Sequence, residues 1–266
     1  MSENRIEARL RTLQEKKEKA FITYITAGLP NLEKTKELIK AQEEAGCDIV
    51  ELGIPFSDPI ADGPVIQQAS FEAIQNGASL KKIFVCMEEL RAEGLQMPVV
   101  FMMYYNTVMH YGIREFAKKC QEVGVDGLII PDLPFEEQDE LKEALGKDDR
   151  TILLQLVSPV SKDRVPMILE NARGFVYCVS SMGVTGQSAN FHKEVMNYLT
   201  YVKEQSKIPV MMGFGIRTAA DVASMKDMID GAIVGSHFIE LLRESGFRAE
   251  AASEYIRNFK KELNAL

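Results

Sequence analysis

The chain has 266 residues, of which 46% are hydrophobic and 26% are charged, so it can bury one large core or two small ones. Its formal net charge of −8, with scattered lysines and arginines, argues against a nucleic-acid-binding surface. No apolar segment approaches the roughly 20 residues that span a membrane, and the charged segment 1–19 lacks the apolar core of a signal peptide.

The cysteine and histidine positions predict neither a disulfide nor a metal site. The four cysteines lie far apart in apolar segments without a CxxC pair, which is typical of structural thiols in a reducing compartment: Cys47, Cys86, Cys120 and Cys178. His110, His192 and His237 lack the mutual spacing of metal ligands. We therefore expect a cytoplasmic protein without a bound metal.

Eight short apolar runs alternate with segments of helical period along the chain. An amphipathic segment over 5–19 comes first and predicts a helix. The predicted strands are Phe21–Ala27, Ile49–Gly53, Val99–Tyr104, Gly127–Pro131, Ile152–Val157, Phe175–Val179, Val210–Phe214 and Ala232–Gly235. The predicted helices between and after them are Leu32–Ala45, Leu80–Glu93, Ile113–Val123, Glu136–Leu145, Lys162–Asn171, Lys193–Gln205, Ala219–Asp227, Phe238–Ser245 and Arg248–Leu263.

This alternation predicts an α/β fold built from repeated strand–helix units. The runs are apolar throughout, which is typical of parallel strands covered on both faces. Similar junctions, where a helix gives way to a strand beside a glycine, recur at Ala45–Asp48, Val123–Asp126 and Ile229–Ala232. We predict a single (β/α)8 TIM barrel with an extra N-terminal helix, forming one domain over residues 1–266. A doubly wound open sheet is the alternative, but no GxGxxG motif follows the first strand.

The segment Cys47–Pro64 joins a buried strand to a loop rich in proline and glycine. Glu51 lies near the end of the strand, and Asp58 and Asp62 follow in the loop together with the apolar Phe56. This mixture is expected of a loop that folds over a small apolar ligand and presents acids to it. The alternative interpretation is that these acids are surface residues, helix caps or turn residues.

Carboxylates are the main candidates for acid–base chemistry at the strand ends. Burial of Glu51 would raise its pKa toward neutrality and suit it to transfer protons. Asp62 would remain ionised, accept a hydrogen bond from a ring N–H and stabilise positive charge. Asp132 is a further rim residue, although a turn or a helix cap explains it equally well. No strand ends at a lysine that would form a Schiff base.

Glycine-rich strand ends in the last three units predict an anion site. They are Gly183–Gly186, Gly213–Gly215 and Gly235–Ser236, the last directly before a helix whose first N–H groups favour a phosphate. Tight turns, with Ser236 as a helix cap, are the alternative. The remaining lining is apolar or aromatic and suits a flat apolar group: Tyr24, Phe56, Ile66, Met102, Tyr104, Tyr177 and Phe214.

The segment ELGIPFSDPIADGP at Glu51–Pro64 closely resembles the signature of the tryptophan synthase α subunit family. The three glycine-rich strand ends match as well, and their order and spacing agree from about residue 21 to the C-terminus. The resemblance implies a barrel lyase that cleaves indole-3-glycerol phosphate to indole and glyceraldehyde 3-phosphate. It implies that Glu51 is the acid/base group and that Asp62 holds the indole N–H.

The resemblance also implies the rest of the site and a partner. Its phosphate site corresponds to Gly186, Gly215, Gly235 and Ser236, and its indole pocket to Tyr24, Met102, Tyr104, Tyr177 and Phe214. Thr185 corresponds to a residue of the closing loop that contacts Asp62. No metal is implied, and pyridoxal phosphate is expected only in a β subunit that receives the indole within an α2β2 assembly.

Two departures from the family pattern and three alternative functions remain. Ser181–Met182 stand where many members have an arginine before the loop, and Tyr24 replaces a common phenylalanine. The chain is alternatively a free-standing lyase that releases indole, or a weakly catalytic activator of a β subunit. A sugar-phosphate isomerase on the same barrel would share the phosphate site, but it would not account for the aromatic lining.

Overall fold

The computed structural model describes residues 3–146, 150–179, 189–213 and 215–266, with side chains omitted at 189–193. Its strands are β1 (Ala20–Thr26), β2 (Ile49–Gly53), β3 (Val99–Met102), β4 (Gly127–Ile129), β5 (Ile152–Leu153), β6 (Gln155–Val157), β7 (Val176–Cys178), β8 (Val210–Met212) and β9 (Gly231–Val234). Every predicted apolar run therefore contains a strand, although most of the strands are shorter than predicted.

The strands form a nearly closed parallel barrel. Their order in the sheet is β5-β4-β3-β2-β1-β9-β8-β7-β6, so β5 and β6 are the two edge strands. In the chain these two strands are consecutive, and only Leu154 lies between them. The predicted strand Ile152–Val157 is thus divided, with its first part paired to β4 and its second to β7. The barrel is therefore closed between β5 and β6 by the covalent link through Leu154. The (β/α) barrel prediction is confirmed.

The helices surround the barrel and follow the predicted order. They are α1 (Arg5–Lys16), α2 (Leu32–Ala45), α3 (Pro64–Gln75), α4 (Leu80–Ala92), α5 (Tyr105–Tyr111), α6 (Ile113–Val123), α7 (Asp139–Leu145), α8 (Val165–Leu169), α9 (Ala189–Gln205), α10 (Ser236–Glu244) and α11 (Ala249–Leu263). Single 3₁₀ turns or short 3₁₀ helices cover Phe135–Glu137, Pro159–Arg164 and Ala219–Met225. The segment predicted as a helix over Ala219–Asp227 is therefore 3₁₀ rather than α.

Helices α3 and α5 were not predicted. Helix α3 begins directly at Pro64, where a proline is well suited because the first helical N–H has no partner within the helix. The prolines and glycines before it indicated irregular structure, and they obscured the helix that follows. Helix α5 is short and has no side-chain cap, so the sequence carries little signal for it.

Alternation along β1 and β2 decides which side chains enter the barrel. In β1, Ala20, Ile22 and Tyr24 point inward, whereas Phe21 and Ile25 pack against the helices. In β2, Ile49 lies in the interior cluster and Val50 and Leu52 in the helix-facing cluster. The same period places the Glu51 side chain inside the barrel, in register with Tyr24 of β1.

The predicted extra N-terminal helix is present, and it closes the bottom of the barrel. Ile6, Leu10 and Leu13 of α1 pack into the interior cluster beneath the strands. Arg5 donates to Asp126 at 2.9 Å, and Arg9 donates to Asp48 at 2.6 Å. These charge-assisted contacts fix the helix against the N-terminal ends of the strands.

The recurring helix–strand junctions serve a shared structural purpose. Asp48 accepts the N–H of Phe21 at 2.7 Å, Asp126 that of Val99 at 2.8 Å, and Asp230 that of Val210 at 2.7 Å. Each aspartate therefore binds the start of the neighbouring strand. This end of a barrel contributes to stability, which leaves the opposite end for a site.

Candidate active site

A cavity of about 950 Å³ opens at the C-terminal ends of the strands. This is where the barrel prediction placed the site. The predicted site residues that border it are Tyr24, Glu51, Asp62, Met102, Tyr177, Gly215, Gly235 and Ser236. Residues from opposite sides of the barrel therefore meet at one cavity.

Glu51 is the most deeply buried acid of the cavity. Its residue is 1% exposed, and its Oε1 has no hydrogen-bond partner among the described residues. Burial, and then the charge of Asp62, raise the pKa of the Glu51 carboxyl to about 8. The group therefore keeps its proton at neutral pH, and it can donate that proton and later accept another.

Asp62 occupies a different environment at the same cavity. It lies in the loop that precedes α3 and is half-buried. Burial raises its pKa to about 6, while a hydrogen bond from the Tyr104 hydroxyl at 3.0 Å opposes the rise. At neutral pH Asp62 is therefore mostly ionised when Glu51 is mostly protonated. Two carboxyl groups whose pKa values are separated in this way can divide proton transfer and charge stabilisation between them.

Tyr104 supports the loop and does not border the cavity. Its hydroxyl donates to Asp62 and accepts the N–H of Ala61 at 2.9 Å. Its ring stacks on Phe56 at a centroid distance of 5.1 Å. The resemblance implies that Tyr104 belongs to the indole pocket. The structure shows that Tyr104 contacts the Asp62 carboxylate through its hydroxyl, and its place in the indole pocket stays a prediction.

Tyr24 and Tyr177 enter the cavity over two glycines. A Cβ at Gly53 would overlap the hydroxyl of Tyr24 and lie 2.7 Å from its Cε2. A Cβ at Gly213 would lie 2.8 Å from Cζ of Tyr177. These glycines make room for aromatic rings, although the glycine-rich strand ends had predicted that Gly213 helps to bind an anion. The Tyr24 hydroxyl, which departs from the family pattern, accepts a hydrogen bond from Thr26 at 3.4 Å.

The opposite side of the cavity has the features of an anion site. Gly215 has φ of 64°, and nothing lies within 4 Å of the Cβ that it lacks. Gly235 is the N-cap of α10, and Ser236 is the first residue of that helix. Within the described part of the chain no side-chain cap hydrogen bond forms at this end, and the cap residue is Gly235 rather than Ser236. The first N–H groups of α10 are therefore available to an anion.

Several predicted residues fall elsewhere. Thr185, Gly186 and Phe214 lie outside the described residues, as do Ser181 and Met182. Asp132 accepts the N–H of Tyr105 at 2.9 Å, which agrees with the helix-cap alternative for this residue.

The described residues contain no group of three or more histidine, cysteine, aspartate or glutamate side chains that would hold a metal ion. All four cysteines are buried and free. No helix of the described chain is long and apolar enough to cross a membrane.

The fold and this cavity define a barrel enzyme with two carboxyl groups of different pKa at the C-terminal ends of its strands. A family model described as tryptophan synthase alpha chain matches residues 10–266. The tryptophan synthase alpha chain of Lachnospira eligens is 68% identical over 263 residues, which cover 98% of this chain and 100% of that protein. The corresponding protein of Alkaliphilus metalliredigens is 45% identical, with 98% and 97% covered. The chain belongs to the tryptophan synthase alpha chain family.

Solved structures agree with this assignment. Tryptophan synthase subunit alpha from Legionella pneumophila superposes with a TM-score of 0.90 at 32% identity, with both chains fully covered. A chain of Mycobacterium tuberculosis tryptophan synthase superposes with a TM-score of 0.87 at 31% identity, covering 99% of each chain. The nearly closed barrel is therefore the fold of this family.

Proposed function

We propose that this chain cleaves indole-3-glycerol phosphate to indole and glyceraldehyde 3-phosphate as the α subunit of a tryptophan synthase. The observation that carries the proposal is the pairing of a protonated Glu51 with an ionised Asp62 at one cavity. Family membership supplies the substrate, and the two carboxyl groups supply the chemistry.

Cleavage of the carbon–carbon bond requires an electron-deficient indole ring. Glu51 donates its proton to the ring carbon that bears the glycerol side chain, which places positive charge on the ring nitrogen. Asp62 accepts the ring N–H and stabilises that charge. The Glu51 carboxylate then takes the proton of the adjacent side-chain hydroxyl, the C–C bond breaks, and the bonding electrons return to the ring.

The two ends of the substrate correspond to the two sides of the cavity. The phosphate binds the backbone N–H groups at Gly215, Gly235 and Ser236, near the N-terminus of α10. Gly186 belongs to the same proposed set, and Thr185 to the proposed closing loop, although both lie outside the described residues. The indole packs among Tyr24, Met102 and Tyr177, with Phe214 as a further proposed contact and Tyr104 holding Asp62.

A β subunit is the proposed partner, in an α2β2 assembly. The loop before α3 exposes Ile60, which is 83% accessible, and α5 exposes Met109 at 59%. Exposed apolar side chains of this size suit a protein interface. Pyridoxal phosphate would then belong to the β subunit, and this chain itself would need no cofactor. The buried free thiols agree with the proposed cytoplasmic location.

Two alternatives share most of these residues. A free-standing lyase would use the same cavity and would release its indole. A weakly catalytic activator of a β subunit would have no need of two carboxyl groups with separated pKa values, so the pairing of Glu51 with Asp62 favours a lyase.

The proposal is tested by supplying indole-3-glycerol phosphate to the purified chain and measuring indole and glyceraldehyde 3-phosphate. We expect equal amounts of the two products, formed faster when a β subunit is added. Equal rates with and without the β subunit would favour the free-standing lyase. No indole under either condition would contradict the proposal.

A further inference from the structure

Three residues whose side chains are cationic or can become so border the cavity among the described residues: Arg164, Arg217 and His237. Arg164 already pairs with Glu136 at 2.5 Å. The Nδ1 atom of His237 lies 3.9 Å from a carboxylate oxygen of Glu240. The Arg217 guanidinium forms no ion pair within 4 Å among the described residues, and the acid on which its charge acts is Asp221. Without a direct ion pair, the guanidinium can still bind a ligand.

The backbone of Arg217 is fixed on both sides. Its N–H donates to Asp221 at 2.9 Å, and its carbonyl accepts the Tyr255 hydroxyl at 2.6 Å. The ring of Tyr255 also meets the ring of His237 edge-on, with centroids 5.6 Å apart. One residue of α11 therefore ties the segment after β8 to the start of α10. These contacts fix the backbone position of Arg217, which follows Gly215 by two residues.

The negative charge around the cavity makes a cationic side chain useful for binding an anionic substrate. The cavity is also bordered by the acids Asp62 and Glu240, and the chain as a whole has a net charge of −8. A phosphate dianion that approaches through this field meets only the partial charges of backbone N–H groups in the proposed phosphate site. A guanidinium fork offers a full charge and two parallel hydrogen bonds to phosphate oxygens.

We propose that Arg217 is a side-chain ligand for the phosphate group of the substrate, in addition to the backbone N–H groups. This inference rests on the proposed function, because it assigns Arg217 to the phosphate end of the same cavity. Arg217 contributes to substrate binding and takes no part in proton transfer. Its contact is therefore formed equally in the bound substrate and in the transition state.

The variant Arg217→Gln removes the charge and keeps most of the side-chain length. We expect KM for indole-3-glycerol phosphate to rise about tenfold or more, with kcat within about twofold of the wild type. The dissociation constant of inorganic phosphate, measured by calorimetry, should rise as well, while binding of indole stays the same. Arg217→Lys should recover part of the loss, since it restores the charge without the fork.

Arg257→Gln is the matched control, because Arg257 is exposed on α11 and does not border the cavity. It makes the same change in net charge and should leave KM and phosphate binding unchanged. An unchanged KM in Arg217→Gln, a loss confined to kcat, or an equal effect in the control would each overturn the proposal. If the wild type forms no indole, the proposed function fails, and the phosphate-binding comparison still decides whether Arg217 binds the anion.

Discussion

At the scale of single residues, the site depends on two carboxyl groups in unlike surroundings. Glu51 is enclosed inside the barrel, whereas Asp62 lies on a half-buried loop and accepts a hydrogen bond from Tyr104. Burial raises the pKa of both, but to about 8 in one and about 6 in the other. Neutral pH falls between these values, so each group holds the protonation state that its proposed role requires.

Replacement of Glu51 by glutamine should remove proton transfer while preserving shape. We expect kcat for indole formation to fall by about 10²- to 10⁴-fold, because the amide neither donates nor accepts the reacting proton. Substrate binding, measured by calorimetry, should be retained. Glu33→Gln, at a side chain that is 84% exposed, is the control and should leave kcat unchanged. Near-normal turnover in Glu51→Gln would show that another group transfers the proton.

The pH dependence of kcat/KM should report both carboxyl groups. Activity requires Asp62 ionised and Glu51 protonated, so we expect a bell-shaped profile with limbs near pH 6 and pH 8. In Asp62→Asn the remaining activity should lose the acidic limb. Its basic limb should move to lower pH, because the charge of Asp62 helps to raise the pKa of Glu51. Asp58→Asn, in the same loop, is the control, and a profile that keeps both limbs in Asp62→Asn would contradict the assignment.

At the scale of elements, strand ends are shaped by the side chains that they must admit. Gly53 ends β2 two residues after Glu51, and on the same side of the strand. Its missing Cβ leaves room for the ring of Tyr24 from the neighbouring strand. Gly53 therefore allows the Tyr24 ring and the buried Glu51 carboxyl to lie side by side in the cavity.

The variant Gly53→Ala should destabilise the protein by about 1–3 kcal/mol, because the new methyl group overlaps the Tyr24 ring. The measurement is the free energy of unfolding in urea. Gly63→Ala is a suitable control, since Gly63 has φ of −75° and nothing within 4 Å of an added Cβ. The control loses only the preference for glycine over alanine at an N-cap. Equal stability of the two variants would contradict the packing argument.

At the scale of the whole molecule, the barrel was predictable because eight apolar runs alternate with helical segments. The placement of Glu51 and Asp62 at the strand ends followed from that fold and from the signature that contains them. The division of one strand at Leu154 was not predictable, because the apolar run continues through it. The contact of Tyr104 with Asp62 joins residues 42 positions apart, and local sequence carries no signal for it. The assignment of residues 1–266 to one domain stays a prediction.

The raised pKa of Glu51 also has a consequence for the stability of the whole chain. The native state retains a proton up to about pH 8, whereas the unfolded state loses it near the ordinary value of 4.5. Between these values the native state binds more protons, so the stability that this group contributes at low pH is lost as the pH rises. The Glu51→Gln variant has no ionisable group at this position, so this contribution to the pH dependence of stability is absent from it.

The most direct test of the account is therefore the difference in the free energy of unfolding between Glu51→Gln and the wild type, measured in urea from pH 5 to pH 9. We expect the variant to gain stability relative to the wild type as the pH rises, by up to about 1.4 kcal/mol per pH unit, and the gain to level off above about pH 8. A difference that stays constant from pH 5 to pH 9 would show that Glu51 has an ordinary pKa, and it would contradict the proposed division of roles between Glu51 and Asp62.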